Sequence, residues 1–332
     1  MNLVNRASIS ILSLIIACLM LLTPIAVAGD ERVRIVYWAS GNSLGLGALL
    51  ERGGFLEREG LNPVFQTVAD VNAPARSVVT GSADIAFSAS ATGTMNMASE
   101  GIPVRAFMAS NVAEAIFIVR PDSNIQSLSE ISGKRFGVSR VGSAAYALSV
   151  GILQENYGIT PAQFTHLPGN DSQLLQFLET GEADIVAVRI ISLSGVPSES
   201  YRIISTLDQE WRRLSGLDVP PVLGLSITVE NFAQRHPEKL AAFIRASQAA
   251  LQFGIENPDE VAKILEDAAN MPPDAAATYA SHWETIYRAD LSPETVNTLH
   301  TMAEMFRRTG VLERDVPEQL YLTDPFESTI GR

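Results

Sequence analysis

The pattern Thr-Gly-x-Ala-Asp-Ile occurs twice in this chain, as Thr80-Gly81-Ser82-Ala83-Asp84-Ile85 and, a hundred residues on, as Thr180-Gly181-Glu182-Ala183-Asp184-Ile185. Each copy follows a helical pattern (73–80 and 172–180) and precedes a short apolar strand (85–87 and 185–188). Glycine just past a helix end takes the left-handed cap at little cost, and an aspartate can tie down the turn into the strand. One copy would mean only a helix and then a strand. Two copies imply that a whole β-α-β-α-β unit is used twice.

The residues upstream agree. Gly60-Leu61-Asn62-Pro63 and Gly158-Ile159-Thr160-Pro161 each close an amphipathic stretch, 44–57 and 143–156, as a helix stop followed by re-entry into a strand. Strand candidates 33–38 and 136–139 lie further upstream. Strands alternating with helices of this length predict parallel sheets wrapped by helices. The period is too long for a solenoid, so two lobes are expected.

Arg6, the apolar run 9–22 and Ala26-Val27-Ala28 form a leader pattern, with cleavage after Ala28 and export to the periplasm expected. The run is shorter than a spanning helix needs, and Pro24 interrupts the segment beyond it. Cys18, the single cysteine of the 332 residues, lies within the leader's greasy core, and lipidation there is not expected. A chain of this size builds a core without disulfides. The net charge of −13 counts against nucleic acid as a partner, whose phosphates call for basic surfaces.

The pattern divides 29–119 as the first part of lobe one, 120–220 as lobe two and 221–332 as the return to lobe one. Arg120-Pro121-Asp122-Ser123-Asn124 marks the first break and Val219-Pro220-Pro221 the second. After the apolar run 222–228 only helices are expected, punctuated by Pro237, Pro258, Pro272-Pro273 and Pro293 and wrapped on lobe one. Two crossing strands would make a hinge, with the lobes facing across a cleft.

The run Ser127-Leu128-Ser129-Glu130-Ile131-Ser132-Gly133-Lys134-Arg135-Phe136-Gly137-Val138, the paired Gly-x-Ala-Asp-Ile turns and the leader together resemble periplasmic solute-binding proteins. The resemblance covers the chain beyond the leader and is to the nitrate/sulfonate/taurine group, which includes thiamine-precursor binders. It implies an α/β, type II periplasmic binding fold of two Rossmann-like lobes. It also implies a monomer without cofactor that delivers a small molecule to an ABC permease in the inner membrane. The cysteine-rich segment typical of eukaryotic thiamine-pyrimidine synthases is absent, which counts against that branch.

In open parallel sheets ligands bind beyond the carboxyl ends of the strands, against helix starts. Those positions hold Ser40-Gly41-Asn42-Ser43-Leu44, Ser88-Ala89-Ser90-Ala91-Thr92, Ser139-Arg140-Val141-Gly142-Ser143 and Gly169-Asn170-Asp171-Ser172. Hydroxyls and backbone N–H groups at helix starts suit an anionic head group such as a sulfonate or carboxylate. Plain N-capping explains each loop equally well by itself. Ser90, Thr92 and Ser143 are the candidates for contact from opposite walls. Arg140 and Arg189 follow lobe-two strands, where they either fork onto an anion or serve as rim or ion-pair residues. Trp38 ends the first strand, as a stacking surface or a core residue, and Asn111 follows the strand 104–108 toward the cleft. Histidines 166, 236, 282 and 300 show no metal-ligand spacing.

Gly41-Asn42-Ser43-Leu44-Gly45 matches the Gly-x-Ser-x-Gly nucleophile elbow between a strand and a helix. It follows the first strand, with no earlier strands and no His-Gly-Gly-Gly segment to build a hydrolase. Gly45-Leu46-Gly47-Ala48 lacks the third glycine of a dinucleotide fingerprint, and no phosphate-loop lysine motif occurs. The expectation is therefore a binding protein and not an enzyme. A serine hydrolase and an exported sensor for a membrane receptor stand as the alternatives.

Overall fold

A computed structural model of the chain describes residues 32–331. The expected leader, its cleavage point and Cys18 lie outside the described residues. No helix among the described residues is long and apolar enough to cross a membrane.

Eleven strands are described: β1 (Arg32–Trp38), β2 (Asn62–Val68), β3 (Ile85–Ser90), β4 (Val104–Val112), β5 (Ala115–Val119), β6 (Arg135–Val138), β7 (Thr165–Pro168), β8 (Ile185–Arg189), β9 (Arg202–Thr206), β10 (Val222–Val229) and β11 (Tyr287–Asp290). They form two sheets, ordered β11-β4-β10-β3-β1-β2 and β7-β6-β8-β5-β9. The helices used below are α1 (Gly41–Arg52), α2 (Ala73–Val79), α3 (Ala91–Ser99), α4 (Ala144–Tyr157), α5 (Asp171–Glu179), α6 (Leu207–Ser215), α7 (Pro237–Glu256), α8 (Pro258–Ala269), α9 (Pro273–Ser281) and α10 (Pro293–Arg308).

The duplication inferred from sequence is present in the pairing. β1 runs parallel to β3 and β6 parallel to β8, with Ile35 opposite Ile85 and Phe136 opposite Ile185. Each sheet then takes into its interior an antiparallel strand from a chain segment that has crossed over: β10 enters between β3 and β4, and β5 between β8 and β9. The two crossings lie side by side, where the Ala113 N–H bonds the Pro221 carbonyl at 2.9 Å. Each of the two lobes is built on one sheet.

Three expectations need correction. The chain leaves the first sheet at Ala113-Glu114, not at residue 120, because β5 pairs with β8 and β9. The Arg120-Pro121 break is a loop inside the second lobe. The tail is not wholly helical, since β11 joins the first sheet beside β4. It is four residues long, too short to show alternation. Asn111 lies within β4 and not beyond it, because that strand continues to Val112.

The repeated junctions are paired clamps. Asp84 accepts from the Arg34 backbone N–H at 2.9 Å and from its guanidinium at 3.0 and 2.7 Å. Asp184 accepts from the Arg135 N–H at 2.8 Å and from its guanidinium at 3.1 and 2.5 Å. In return the Asp84 and Asp184 N–H groups bond the carbonyls of Arg34 and Arg135. Gly81 and Gly181 take φ of 75° and 74°, the left-handed cap that lets each helix turn into its strand. A bidentate fork plus a backbone bond fixes the register of the first and third strands of each unit.

The cores follow from the apolar faces. On the first sheet α7 lays Phe243 against Phe107, edge to face at 5.8 Å, and against Phe87 at 6.3 Å. In the second lobe Phe136 stacks on Phe117 at 6.3 Å and meets Phe164 edge-on at 5.5 Å. Each fully buried phenylalanine stabilises the fold by about 1.5–3 kcal/mol. Tail helix α10 touches the second lobe: Met305 covers Gly151 of α4, and Arg308 pairs with Glu155 at 2.9 Å.

Candidate functional site

The predicted loops all sit at helix starts, but the starts differ in one respect. Ser90 accepts from the Gly93 N–H at 3.3 Å, Ser143 from Tyr146 at 3.1 Å and Asn170 from Gln173 at 3.0 Å, so each of these side chains caps its own helix. Asn170, which is exposed, forms a full capping box with Gln173. Ser40, before α1, makes no such bond. The first turn of α1 therefore keeps its backbone donors uncapped, beside the buried side chains of Asn42 and Ser43.

Around that turn the candidates join into one network. Ser43 donates to the Ser88 hydroxyl at 3.2 Å or its carbonyl at 3.3 Å, and the Ser88 hydroxyl donates to Asn111 Oδ1 at 2.6 Å. Ser88 has a φ of 53°, a left-handed residue inside a strand. The cause is a bulge: Ala89 faces Leu225 and Ala86 faces Ile227, so Phe87 and Ser88 share Ser226 between them. The bulge re-aims the Ser88 hydroxyl. Gly224 permits this close approach, since a β-carbon there would collide with Asn111 Oδ1 and stand 2.5 Å from Ser88 Oγ.

Asn42 links the lobes. Its Nδ2 donates to Glu114 Oε1 at 2.8 Å, and its Oδ1 accepts from Arg189 Nη1 of the second lobe at 3.3 Å. Arg189 Nε also pairs with Asp171 at 2.7 Å, and Ser192 donates to the same Asp171 oxygen. Arg189 is thus an ion-pair residue that reaches across to Asn42, with part of its charge already answered. Burial pushes the Glu114 carboxyl up to about 6, against the pull of the Arg189 charge and the Asn42 bond, while Asp171 adds to the rise.

The other candidates lie outside this network. Trp38 covers Gly41, where a β-carbon would stand 2.5 Å from the indole, and its Nε1 donates to the Ala69 carbonyl at 3.1 Å. Leu44 is half-buried against the core, Ala91 is fully buried, and Arg140 is exposed beside Gly142, whose φ is 88°. Thr92 is buried and its hydroxyl has no hydrogen-bond partner.

The nucleophile-elbow reading loses its geometry here. The two glycines of that motif make room for Trp38 and for Tyr287, and Ser43 bonds Ser88 where a hydrolase would place a histidine. His166 bonds the carbonyls of Val138 and Ser139 in the second lobe. No group of three or more His, Cys, Asp or Glu among the described residues could hold a metal ion.

Sequence reasoning missed Glu114, Ser192, Tyr279 and Tyr287, and included Asp171 in a candidate loop without singling it out. Glu114 carried a signal, as a lone acid in the apolar run Val112-Ala113-Glu114-Ala115-Ile116. Asp171 stood next to the chosen Asn170. Tyr287 carried none, because its place depends on β11.

The NMT1/THI5-like family model matches residues 49–261, well over half of the chain. This chain belongs to the NMT1/THI5-like family. No curated protein matches it by sequence. Among solved structures, the NMT1/THI5-like chain is similar to the periplasmic aliphatic sulphonate binding protein SsuA from Escherichia coli, with a TM-score of 0.72 and 13% identity over 87% of this chain and 90% of that one. It is also similar to the alkanesulfonate-binding protein SsuA from Xanthomonas axonopodis pv. citri bound to MOPS, at 0.69 and 16% over 88% and 98%. The desulfurization enzyme DSZB shares the fold as well, at 0.64 and 12% over 91% and 99%. At these identities the likeness is one of fold: the type II periplasmic binding fold of two lobes.

Proposed function

We propose that this chain is the solute-capture component of an ABC-type importer, exported to the periplasm, which closes its two lobes around a small organic anion and presents it to an inner-membrane permease. The observation that carries this reading is the meeting of the uncapped start of α1 with Arg189 of the opposite lobe, through Asn42. Uncapped N–H groups at a helix start, with their positive end of the dipole, suit a sulfonate or carboxylate. The SsuA proteins named above, which bind sulfonates, support the class of solute.

Closure is within the reach of such a ligand. Moving a hinge from 1:99 to 99:1 takes about 5.5 kcal/mol of differential binding, and a micromolar ligand supplies about 8 kcal/mol in all. Only a solute touching both lobes can supply the difference.

Calorimetry of the purified chain against a panel of short alkanesulfonates and carboxylates tests the proposal. Binding weakened at least tenfold by Asn42→Ala or Ser43→Ala is the expected result. Unchanged affinity in both variants would remove the site from α1. The enzyme reading, which the DSZB fold keeps in view, predicts turnover of a sulfinate or ester under the same conditions. Ser43 has no histidine among its hydrogen-bond partners to act as a base, which favours binding without turnover.

A further inference from the structure

A tyrosine from the far end of the chain reaches Asn42, and a second one stands behind it. The Tyr287 hydroxyl accepts from the Leu46 N–H at 3.1 Å and donates to the Asn42 carbonyl at 2.8 Å. In a regular α-helix those two groups, four residues apart, bond each other directly. The hydroxyl is therefore wedged into the ladder of α1 at its first turn, where an inserted side chain bends or opens a helix. Because the Tyr287 proton goes to Asn42, the 2.6 Å bond between the phenols runs from Tyr279 to the Tyr287 oxygen.

Gly45 makes the wedge possible. A β-carbon at Gly45 would collide with the Tyr287 hydroxyl and stand 3.0 Å from the ring and hydroxyl of Tyr279. Both phenols are buried, and burial pushes Tyr279 up to about 12 and Tyr287 well above its ordinary range. Neither loses its proton near neutral pH, so the donor pattern is constant. Trp283 packs on the Tyr287 ring at 4.5 Å.

We infer that Tyr287 is a positioning residue of the solute site: its hydroxyl sets the first turn of α1, and so aims the Asn42 amide at Glu114 and Arg189 and governs how the second lobe closes on the first. The link to solute affinity rests on the capture reading above, whereas the link to lobe closure does not.

Tyr287→Phe removes the wedge, Gly45→Ala obstructs it, and the double variant lets the turn close as an ordinary helix. Lobe separation is read by spin labels at Val79→Cys in α2 and Ile203→Cys in β9, both exposed positions, with Cys18→Ser removing the native thiol. Tyr287→Phe is expected to raise the open-to-closed ratio about 3- to 10-fold, the worth of one well-placed hydrogen bond. Gly45→Ala alone should lower the melting temperature. The double variant should recover stability yet remain as open as Tyr287→Phe, since the Asn42 carbonyl then bonds Leu46 directly.

A double variant, or a Tyr287→Phe protein, with wild-type lobe separation would show that Tyr287 merely fills space, and would overturn the inference. Ethanesulfonate affinity measured on the same proteins is expected to fall with the open-to-closed ratio. A wild type that ignores every anion tried would count against the capture reading, and the spin-label comparison would still decide the role of Tyr287.

Discussion

Glu114 accepts from Asn42 through Oε1, while its Oε2 is closed off from solvent and completes no hydrogen bond, although the nearby Ile190 N–H favours its charge. The residue sits in the two-residue link between the sheets, so every movement of one lobe against the other passes beside it. Arg189, Asp171, Tyr279 and Tyr287 are the other titratable groups around it.

A carboxyl raised from its usual 4.5 to about 6 binds more protons in the folded than in the unfolded protein between those two values. Stability from this group is present in full below the lower value and falls as pH rises through the window, by about 2 kcal/mol in all. Glu114→Gln should abolish that component. Urea midpoints of both proteins at pH 4.5 and pH 7 check this, and parallel profiles would locate the dependence elsewhere.

The Arg–Asp clamps titrate in the opposite sense. Burial opposes the charge on Asp84, but the side-chain and backbone bonds from Arg34 outweigh it, and the Arg135 bonds do the same for Asp184, so both carboxyls lie below their usual 3.8. Their stabilisation is present above that value and is lost as pH falls through the depressed one. Asp84→Asn and Asp184→Asn should each cost about 1–2 kcal/mol at pH 7, a figure reduced because the arginine partners are nearly half exposed. The deficit should shrink toward pH 2. Denaturation curves showing a constant deficit would mean that packing, not charge, was lost.

Gly224→Ala places a methyl group against Asn111 and Ser88, both of them buried. Overpacking of this kind costs about 1–3 kcal/mol. Asn111→Ala in the same protein should recover part of the loss, because it removes the nearest colliding atom. Strictly additive thermal shifts for the pair would argue that strain at Ser88, and not contact with Asn111, dominates.

The fold was readable because its repeat is local. The Thr-Gly-x-Ala-Asp-Ile turns, the helix stops at Gly60 and Gly158 and the alternation of strand and helix are all properties of short segments. The crossing strands were harder, since β5 looks in sequence like a continuation of β4 and only its partners β8 and β9 place it in the second sheet. Among the candidate residues, Asn42, Ser43, Ser88 and Asn111 were picked from positions at or near strand ends, and the structure bonds Ser43, Ser88 and Asn111 in series. Ser90, Ser143 and Asn170 proved to be caps as well, a local use that sequence could name but not separate from binding. Tyr287 was invisible because nothing near it in the chain specifies its partner.

The order of the strands also sets an order of assembly. Every strand of the second sheet lies between Ala115 and Thr206, whereas the first sheet draws β10 and β11 from beyond it. The bonded pair Leu46 and Tyr287 stand 241 positions apart. Contacts of such separation form late, because the entropy of closing so long a loop must be met before they stabilise anything. Pulse-labelled hydrogen exchange should therefore find the amides of β6 and β8 protected before those of α1. The Leu46 N–H and the Asn42 carbonyl meet the Tyr287 hydroxyl only when the last quarter of the chain arrives, so the start of α1 takes its final form at the end of folding.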